Sequence, residues 1–329
     1  MPVISVVVPA YNVENTILET INSIQQQTFP DFEIVVINDG STDGTLDKLS
    51  TIDDPRLKIF SYENGGLPVA RNRGIERATG NFIAFVDADD LWTADKLELQ
   101  LAALHKHPEA NVAYSWTTFI DEEGNFLYDG EPFNYVGNVY AQLLVKNFIA
   151  SGSNILIRSQ VVEEIGKFDP ELKSAEDWDF SLRLAAHYLF ALVPKHQILY
   201  RKSSQSMTSK VDVMEKAITT VIDRGFKAAP DELQYLKNQT LSNTYRFFTK
   251  LCLEHITNQE GVSKARHKFI KSVQLYPNSL MKQETQRLAL KLFFNMLLPR
   301  KFSSNLISFF GKNFPFVSTQ KTNLSKGNS

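Results

Sequence analysis

The sequence predicts an α/β protein: a mostly parallel sheet with a mixed extension, followed by a helical C-terminal region. Three observations predict it. The first hundred residues alternate short β-branched runs with helical periodicity, the pattern of βαβ units. The runs IVVI (34–37) and FIAFV (82–86) are nearly all apolar, as in strands covered on both faces. From about Val211 to Leu298 the apolar spacing is helical throughout.

Residues 3–8 read as the first strand and 15–27 as its helix. Residues 32–37 form the second strand, left by the turn Asn38-Asp39-Gly40-Ser41 and a short helix near Leu46. The third strand covers 57–60. Gly65-Gly66-Leu67-Pro68 then opens a helix, with Pro68 in its first turn and Gly80 at its close. Residues 82–86 are the fourth strand, and the following helix, 94–107, would take Asp90 or Thr93 as its cap. The texture then changes. Strands at 112–119 and 154–157, with a glycine-containing turn at 122–125, extend the same sheet in mixed directions. Residues 180–186 read as helix, and 190–193 and 197–200 as two short strands. This gives a domain over 1–210, a helical region over 211–316 and a polar tail over 317–329.

The chain has 329 residues, and Lys+Arg 35 against Asp+Glu 37 leaves it nearly neutral. That balance gives no electrostatic case for nucleic acid as a partner, so any phosphate site must be local. The single cysteine, Cys252, excludes an internal disulfide and a cysteine zinc cluster, fits a reducing compartment and reads as a buried apolar residue. The opening MPVISVVVPAYN lacks a basic n-region and a long apolar h-region, so it reads as a strand and not as a signal peptide. The longest apolar stretch, 288–298, is broken by Lys291 and Asn295 and is too short to span a bilayer. The expected location is the cytoplasm, with peripheral contact at the inner face of the membrane. That contact would run through LALKLFFNMLLPRKF (288–302) and SNLISFFGKNFPF (304–316), which mix aromatic and aliphatic residues with Lys291, Arg300, Lys301 and Lys312.

The chemistry concentrates in NFIAFVDADD (81–90), where an apolar strand ends in three carboxylates. Asp87 and Asp89 place hard oxygen ligands at the carboxyl edge of the sheet, where open α/β folds bind ligands and where a divalent cation and a diphosphate would sit. Helix capping explains one carboxylate, not three. Further features fall beside the same strand ends: Pro9-Ala10-Tyr11-Asn12, Asn38-Asp39-Gly40-Ser41, and Arg71 on the helix opened by Gly65-Gly66. Right-handed crossovers bring these ends to one edge. An acid for a base or ribose donor, an aromatic to cover a ring, a cation for phosphate and an acid pair for a metal together describe a nucleotide-diphosphate site. PAYNVEN contains no glycine, which argues against the glycine-rich phosphate loops of nucleotidyltransferases and dinucleotide oxidoreductases.

The ordered set ISVVVPAYN, VINDGSTDGT, GGLPVARNRGIERATGNFIAFVDADD and GKFDPELKSAEDWDFSLRLA closely resembles glycosyltransferase family 2 over roughly residues 3–210. The resemblance implies a GT-A fold with a Rossmann-like sheet and a nucleotide-diphosphate sugar donor, a UDP-sugar first among them. It also implies a Mn²⁺ or Mg²⁺ cofactor and inversion at the anomeric carbon. By matching position, Pro9, Ala10, Tyr11 and Glu14 would form the first-strand part of the nucleoside pocket, Asp39 would bind the base edge, and Arg71 would neighbour the base and phosphates. Asp87, Ala88 and Asp89 match the acidic metal motif, with Asp89 as the direct ligand and Asp87 toward the ribose or a metal-bound water.

Glu176-Asp177 matches the motif whose Asp takes the acceptor proton. Asp177 is therefore the expected base and Glu176 a positioning group; capping of a helix at Phe180 is the alternative for Asp177. Many relatives carry a histidine where Ser203 follows Tyr200-Arg201-Lys202, so Arg201 or Lys202 would replace it as phosphate cations. The acceptor would be a glycan or a lipid-linked glycan, in cell-surface polysaccharide, lipopolysaccharide or glycolipid synthesis. Trp116, Phe119, Tyr135, Tyr140 and Trp178 read as core more than as a stacking platform. A nucleotide-sugar-binding protein of the same fold without turnover is the alternative function.

Overall fold

The computed structural model describes residues 1–202, 211–255 and 259–297. The chain divides into two units, Met1–Thr244 and Tyr245–Ser329. The break expected at residue 211 therefore falls inside the first unit. The reason is packing: α8 (Val211–Ala228) buries Val221, Ile222 and Phe226 in the same core as α5 (Tyr140–Val145) and α7 (Glu176–His187).

One sheet of nine strands runs through the first unit in the order β3-β2-β1-β4-β8-β6-β9-β5, with β7 paired to β6. These strands are β1 (Ile4–Ala10), β2 (Phe32–Asp39), β3 (Leu57–Tyr62), β4 (Phe82–Phe85), β5 (Leu91–Trp92), β6 (Ala110–Ile120), β7 (Phe126–Asp129), β8 (Leu156–Arg158) and β9 (Leu189–Arg201). The first four are parallel to one another. Strand β8 runs antiparallel to both β4 and β6, which makes the extension mixed, as expected.

Alternation along β1 builds two layers. Val6 and Val8 pack with Ile17, Ile21 and Ile24 of α1 (Ile17–Gln25) and with Leu97, Leu101 and Leu104 of α4 (Lys96–Lys106). Val7 points the other way, into the core with Phe180 and Leu184 of α7. The i, i+4, i+7 spacing of the α1 isoleucines puts all three on one face.

The strand order 3-2-1-4 reverses direction between β1 and β4, so the crevice expected of an open parallel sheet lies beyond their carboxyl ends. Pro9 is tolerated inside β1 because β4 pairs with β1 only as far as Val7, and beyond it no ladder bond to β4 is required.

Several boundaries differ from those expected. The helix after β3, α3 (Leu67–Arg77), ends in an extended Ala78, and Gly80 does not cap it. Gly80 instead lies against β1, where an added Cβ would stand 2.7 Å from the Ser5 amide nitrogen. Before α4 the chain adds β5, antiparallel to β9, and neither Asp90 nor Thr93 caps the helix. The two short strands expected at 190–200 are one strand, β9, whose ladder with β6 absorbs register shifts around Trp116. The turn at Gly124 (φ +86°) folds β7 back on β6 as a hairpin. Helices α2 (Thr45–Ser50), α5 and α6 (Val161–Ile165) are short; the last two lack a long enough periodic pattern to read from sequence.

Helix α9 (Lys237–His255) crosses the unit boundary, and α10 (Gln259–Leu275) and α11 (Gln283–Leu297) belong to the second unit. Cys252 is buried, as expected. No helix among the described residues is long and apolar enough to cross a membrane. Of the stretches 288–302 and 304–316 expected at a membrane, only residues 288–297, in α11, are described; residues 298–316, the tail 317–329 and Ser203 lie outside the described residues.

Candidate active site

The acidic turn begins where β4 stops pairing. The Asp90 amide donates to the Asp87 carbonyl at 3.0 Å, closing a four-residue turn. Helix α1 holds its backbone: the Thr16 and Thr20 hydroxyls donate to the Ala88 carbonyl at 2.9 and 3.0 Å, and Thr20 also reaches the Asp90 carbonyl at 2.9 Å. Ala88 is thus a buried spacer, and the two flanking carboxylates, Asp87 and Asp89, face the crevice half-buried.

Asp90 is a structural acid. Its carboxylate accepts Ser153 Oγ at 2.5 Å, Ser151 Oγ at 3.2 Å and the Arg201 amide at 3.0 Å, which ties β4, the 151–153 loop and β9 together. Burial, together with the charges of Asp89 and Asp87, pushes it well above the usual carboxylate range. Burial and Asp87 push Asp89 up to about 6. Among the described residues no other side chain bonds to the Asp89 carboxylate.

Arg201 does not present the free phosphate cation that the sequence suggested. It is buried, and its Nε donates to the Asp89 carbonyl (2.9 Å), Nη1 to the Glu122 carbonyl (2.7 Å) and Nη2 to Glu19 Oε2 (2.6 Å). A guanidinium fork held at three points by protein oxygens braces the acidic turn.

Arg71 is likewise internal. It is 1% exposed; Nη2 donates to Asp87 Oδ1 and Nη1 to Glu176 Oε1, both at 2.6 Å. Residue 152 is glycine because an added Cβ would lie 2.3 Å from Arg71 Nη2. Arg71 therefore joins the acidic turn to the Glu176–Asp177 pair.

That pair opens α7 rather than preceding it. Ala175 at the N-cap adopts a left-handed conformation, φ +59°, an uncommon and strained state for a residue with a Cβ. Glu176 and Asp177 thus sit in the first helical turn, where the helix dipole favours negative charge. Asp177 accepts the Trp178 amide at 2.8 Å and, among the described residues, no other hydrogen bond; Asp179 turns away to Arg183 at 2.9 Å. Burial and the adjacent Glu176 raise Asp177 to about 6, against the opposing pull of Arg71.

The remaining residues gather at the neighbouring strand ends. Asp39 is buried and accepts the Gly65 and Gly66 amides (3.0 and 2.8 Å) and Arg73 Nη1 (2.6 Å), so it shapes the loop ahead of α3. Glu14 Oε2 accepts the Gly44 amide at 2.8 Å, fastening the β1 loop to the β2 loop. Pro9 and Ala10 are buried at the end of β1, and Tyr11 stands 51% exposed beside them. The structure therefore brings Asp87, Asp89, Arg71, Glu176 and Asp177 to one place. Tyr11 and Glu14 lie on the adjoining β1 loop and Asp39 at the end of β2, with no direct bond to that group among the described residues.

Sequence reasoning missed Ser151, Gly152, Ser153, Thr16 and Thr20, which hold the acids in place. It also missed Tyr200, whose ionisation is pushed above the ordinary tyrosine range by burial and by Asp90, Asp89, Asp87 and Asp177. No local signal marks these residues; only their neighbours in space do.

The family model described as Glycosyltransferase like family 2 matches residues 5–251. The chain belongs to this family. A glycosyltransferase of Rickettsia bellii, itself described as uncharacterized, is 33% identical over 195 residues, covering 58% of this chain and 28% of that protein. The chain thus spans about a quarter of the length of that relative, and 23% of two further Rickettsia relatives. The Escherichia coli UDP-Glc:alpha-D-GlcNAc-diphosphoundecaprenol beta-1,3-glucosyltransferase WfgD is 37% identical over 117 residues, covering 35% of this chain and 45% of WfgD.

Among solved structures, S. aureus TarS 1–349 in complex with UDP-GlcNAc superimposes with a TM-score of 0.62 at 22% identity, covering 94% of this chain and 91% of TarS 1–349. At that identity the likeness speaks to fold: this family 2 chain has the GT-A type architecture, a mostly parallel sheet followed by helices.

Proposed function

We propose that this family 2 chain is a metal-dependent, inverting glycosyltransferase that moves a sugar from a UDP-sugar to a hydroxyl of a glycan or lipid-linked acceptor. The observation that carries the reading is the junction of the two acidic groups: Asp87 and Asp89 on the sheet edge, Glu176 and Asp177 on α7, with Arg71 bridging them. WfgD acts with UDP-Glc on a diphosphoundecaprenol-linked sugar by its name, and TarS has been solved with UDP-GlcNAc. Both support a UDP carrier, and WfgD supports a lipid-linked acceptor.

The carboxylate oxygens of Asp87 and Asp89 fit Mn²⁺ or Mg²⁺, which prefer hard oxygen donors. Among the described residues no group of three or more His, Cys, Asp or Glu is placed to hold a cation. These two carboxylates are the residues that would hold it. When bound, the cation would supply charge neutralisation to the departing diphosphate. Asp177 would take the proton of the acceptor hydroxyl as that oxygen forms its bond to the anomeric carbon and the bond to the diphosphate breaks. A single displacement inverts the centre and needs no second carboxylate as nucleophile. Arg71 keeps the two carboxylate groups at a fixed spacing, and Trp178 fixes the Asp177 rotamer through its amide.

A nucleotide panel tests the donor site. UDP with Mn²⁺ or Mg²⁺ should raise the melting temperature of the wild type, by about 2.7 kcal/mol of stabilisation at a hundredfold excess over Kd. The rise should vanish with EDTA and in Asp89→Ala. The absence of a shift with UDP, GDP, dTDP or CMP would remove the reading.

A second test follows from Asp177. A base must be ionised, so with a folded value raised to about 6 the turnover rate should fall as pH drops through 6 and level off above 7. The linkage has the same origin: between the unfolded value near 3.8 and 6 the folded state binds the extra proton. This group's contribution to stability is therefore greatest at low pH and is lost as pH rises through 6. A rate that stays flat from pH 5 to 8 would dismiss Asp177 as the base.

A further inference from the structure

The β6–β7 hairpin and the end of β9 carry an aromatic ladder that the reaction above does not use. Phe119 of β6 lies opposite Tyr128 of β7 and opposite Tyr200 of β9. Residues directly opposite on adjacent strands share a face. The rings bear this out: Phe119 stacks on Tyr128 with centroids 4.8 Å apart and an interplanar angle of 26°, and meets Tyr200 edge-on at 5.6 Å. Lys202, next along the chain, donates from Nζ to the Tyr128 hydroxyl at 3.2 Å and lies over both the Phe119 and Tyr128 rings.

The outer end of this ladder is open, with Tyr128 44% exposed and its hairpin neighbour Phe126 65% exposed. The inner end reaches the site. The Arg201 amide, one residue beyond Tyr200, donates to Asp90, and Arg201 Nε donates to the Asp89 carbonyl. Among the described residues the Tyr200 hydroxyl has no hydrogen-bond partner of its own.

We propose that Tyr128, Phe119 and Tyr200, with Lys202, form a binding shelf for a neutral hexopyranose residue of the acceptor glycan, leading its hydroxyl toward the acids. The inference rests on the glycosyltransferase reading of that site. A pyranose offers an apolar face of C–H groups and a rim of hydroxyls, and an exposed ring row beside hydrogen-bonding groups is its complement. Charge selects the same occupant. The acids at the inner end oppose a second anionic ligand, while the Lys202 ammonium, held by a phenol oxygen and two ring faces, is a hydroxyl donor and not a bidentate phosphate clamp. Tyr200 then supplies a phenol hydroxyl to the sugar nearest the base.

The test is saturation-transfer NMR on the full chain with the methyl β-pyranosides of glucose, galactose and N-acetylglucosamine, each with and without UDP. Three proteins are compared: wild type, Tyr128→Ala and Tyr128→Trp. Tyr128→Ala gives up the Phe119 stack and should melt somewhat below the wild type while staying folded at the assay temperature, which a melting curve checks. Ring C–H protons of at least one glycoside should receive saturation in wild type and in Tyr128→Trp, and affinity should fall on the order of tenfold in Tyr128→Ala, the scale of a lost stacking contact. No glycoside binding by wild type, or equal binding by Tyr128→Ala, would overturn the shelf. UDP binding to wild type by calorimetry separates the two readings. UDP bound without glycoside sinks the shelf alone; Tyr128-dependent glycoside binding without UDP supports the shelf and sinks the donor site.

Discussion

Asp177→Asn should lower the rate of sugar transfer by 10²–10⁴-fold, about the range for losing a positioned general base, while UDP binding stays near the wild-type level. The change is nearly isosteric, and the amide oxygen still accepts the Trp178 amide that fixes the side chain at 2.8 Å. What is lost is basicity, together with a negative charge beside Arg71 and Glu176. Steady-state transfer with a radiolabelled UDP-sugar, beside calorimetric UDP titration, reads both quantities. A variant that transfers at half the wild-type rate would show that another group takes the acceptor proton. If UDP affinity fell along with the rate, Asp177 would belong to the donor pocket.

The second large effect is expected at Arg71. Arg71→Met keeps the unbranched stem and removes the guanidinium, which lies 5.2 Å from the Phe168 ring centroid. It leaves Asp87 and Glu176 without their shared cation. Breaking a buried pair by removing one partner typically destabilises by about 3–5 kcal/mol, because the remaining charge is uncompensated. Urea unfolding at neutral pH should show a loss of that order. A loss below about 1 kcal/mol at neutral pH would mean that the bridge contributes little beyond position. The buried Arg71 Nε, which has no hydrogen bond among the described residues, offsets part of what the pair contributes.

Much of the catalytic unit was legible in the chain. The parallel strands β1, β2 and β4 carry apolar runs, VVV, IVVI and FIAF, whose length can be counted without knowing their partners. The acidic turn follows directly from one of those runs, so Asp87 and Asp89 could be placed at the sheet edge from sequence alone. Glu176 and Asp177 were found by their motif, but their place in the first turn of α7 was not: the helix starts after a left-handed Ala175, and an alanine gives no sign of that conformation. Strands β5 and β7 escaped because two and four residues are too few to show a period. The end of the first unit was missed for a related reason, since helical spacing says nothing about which core a helix joins.

The sequence by itself determined the fold class, the sheet-edge location of the chemistry and the residue types gathered there, because these depend on local periodicity and on motifs contiguous in the chain. Only the tertiary structure decided what the charged groups do. Arg71 and Glu176 are 105 residues apart, and Arg201 and Glu19 are 182 apart, so neither pairing leaves a trace in local pattern. Both arginines looked like phosphate cations while their surroundings were unknown. Once buried, a guanidinium must find oxygens within the protein, and the available ones belong to the acids that this site was built to hold.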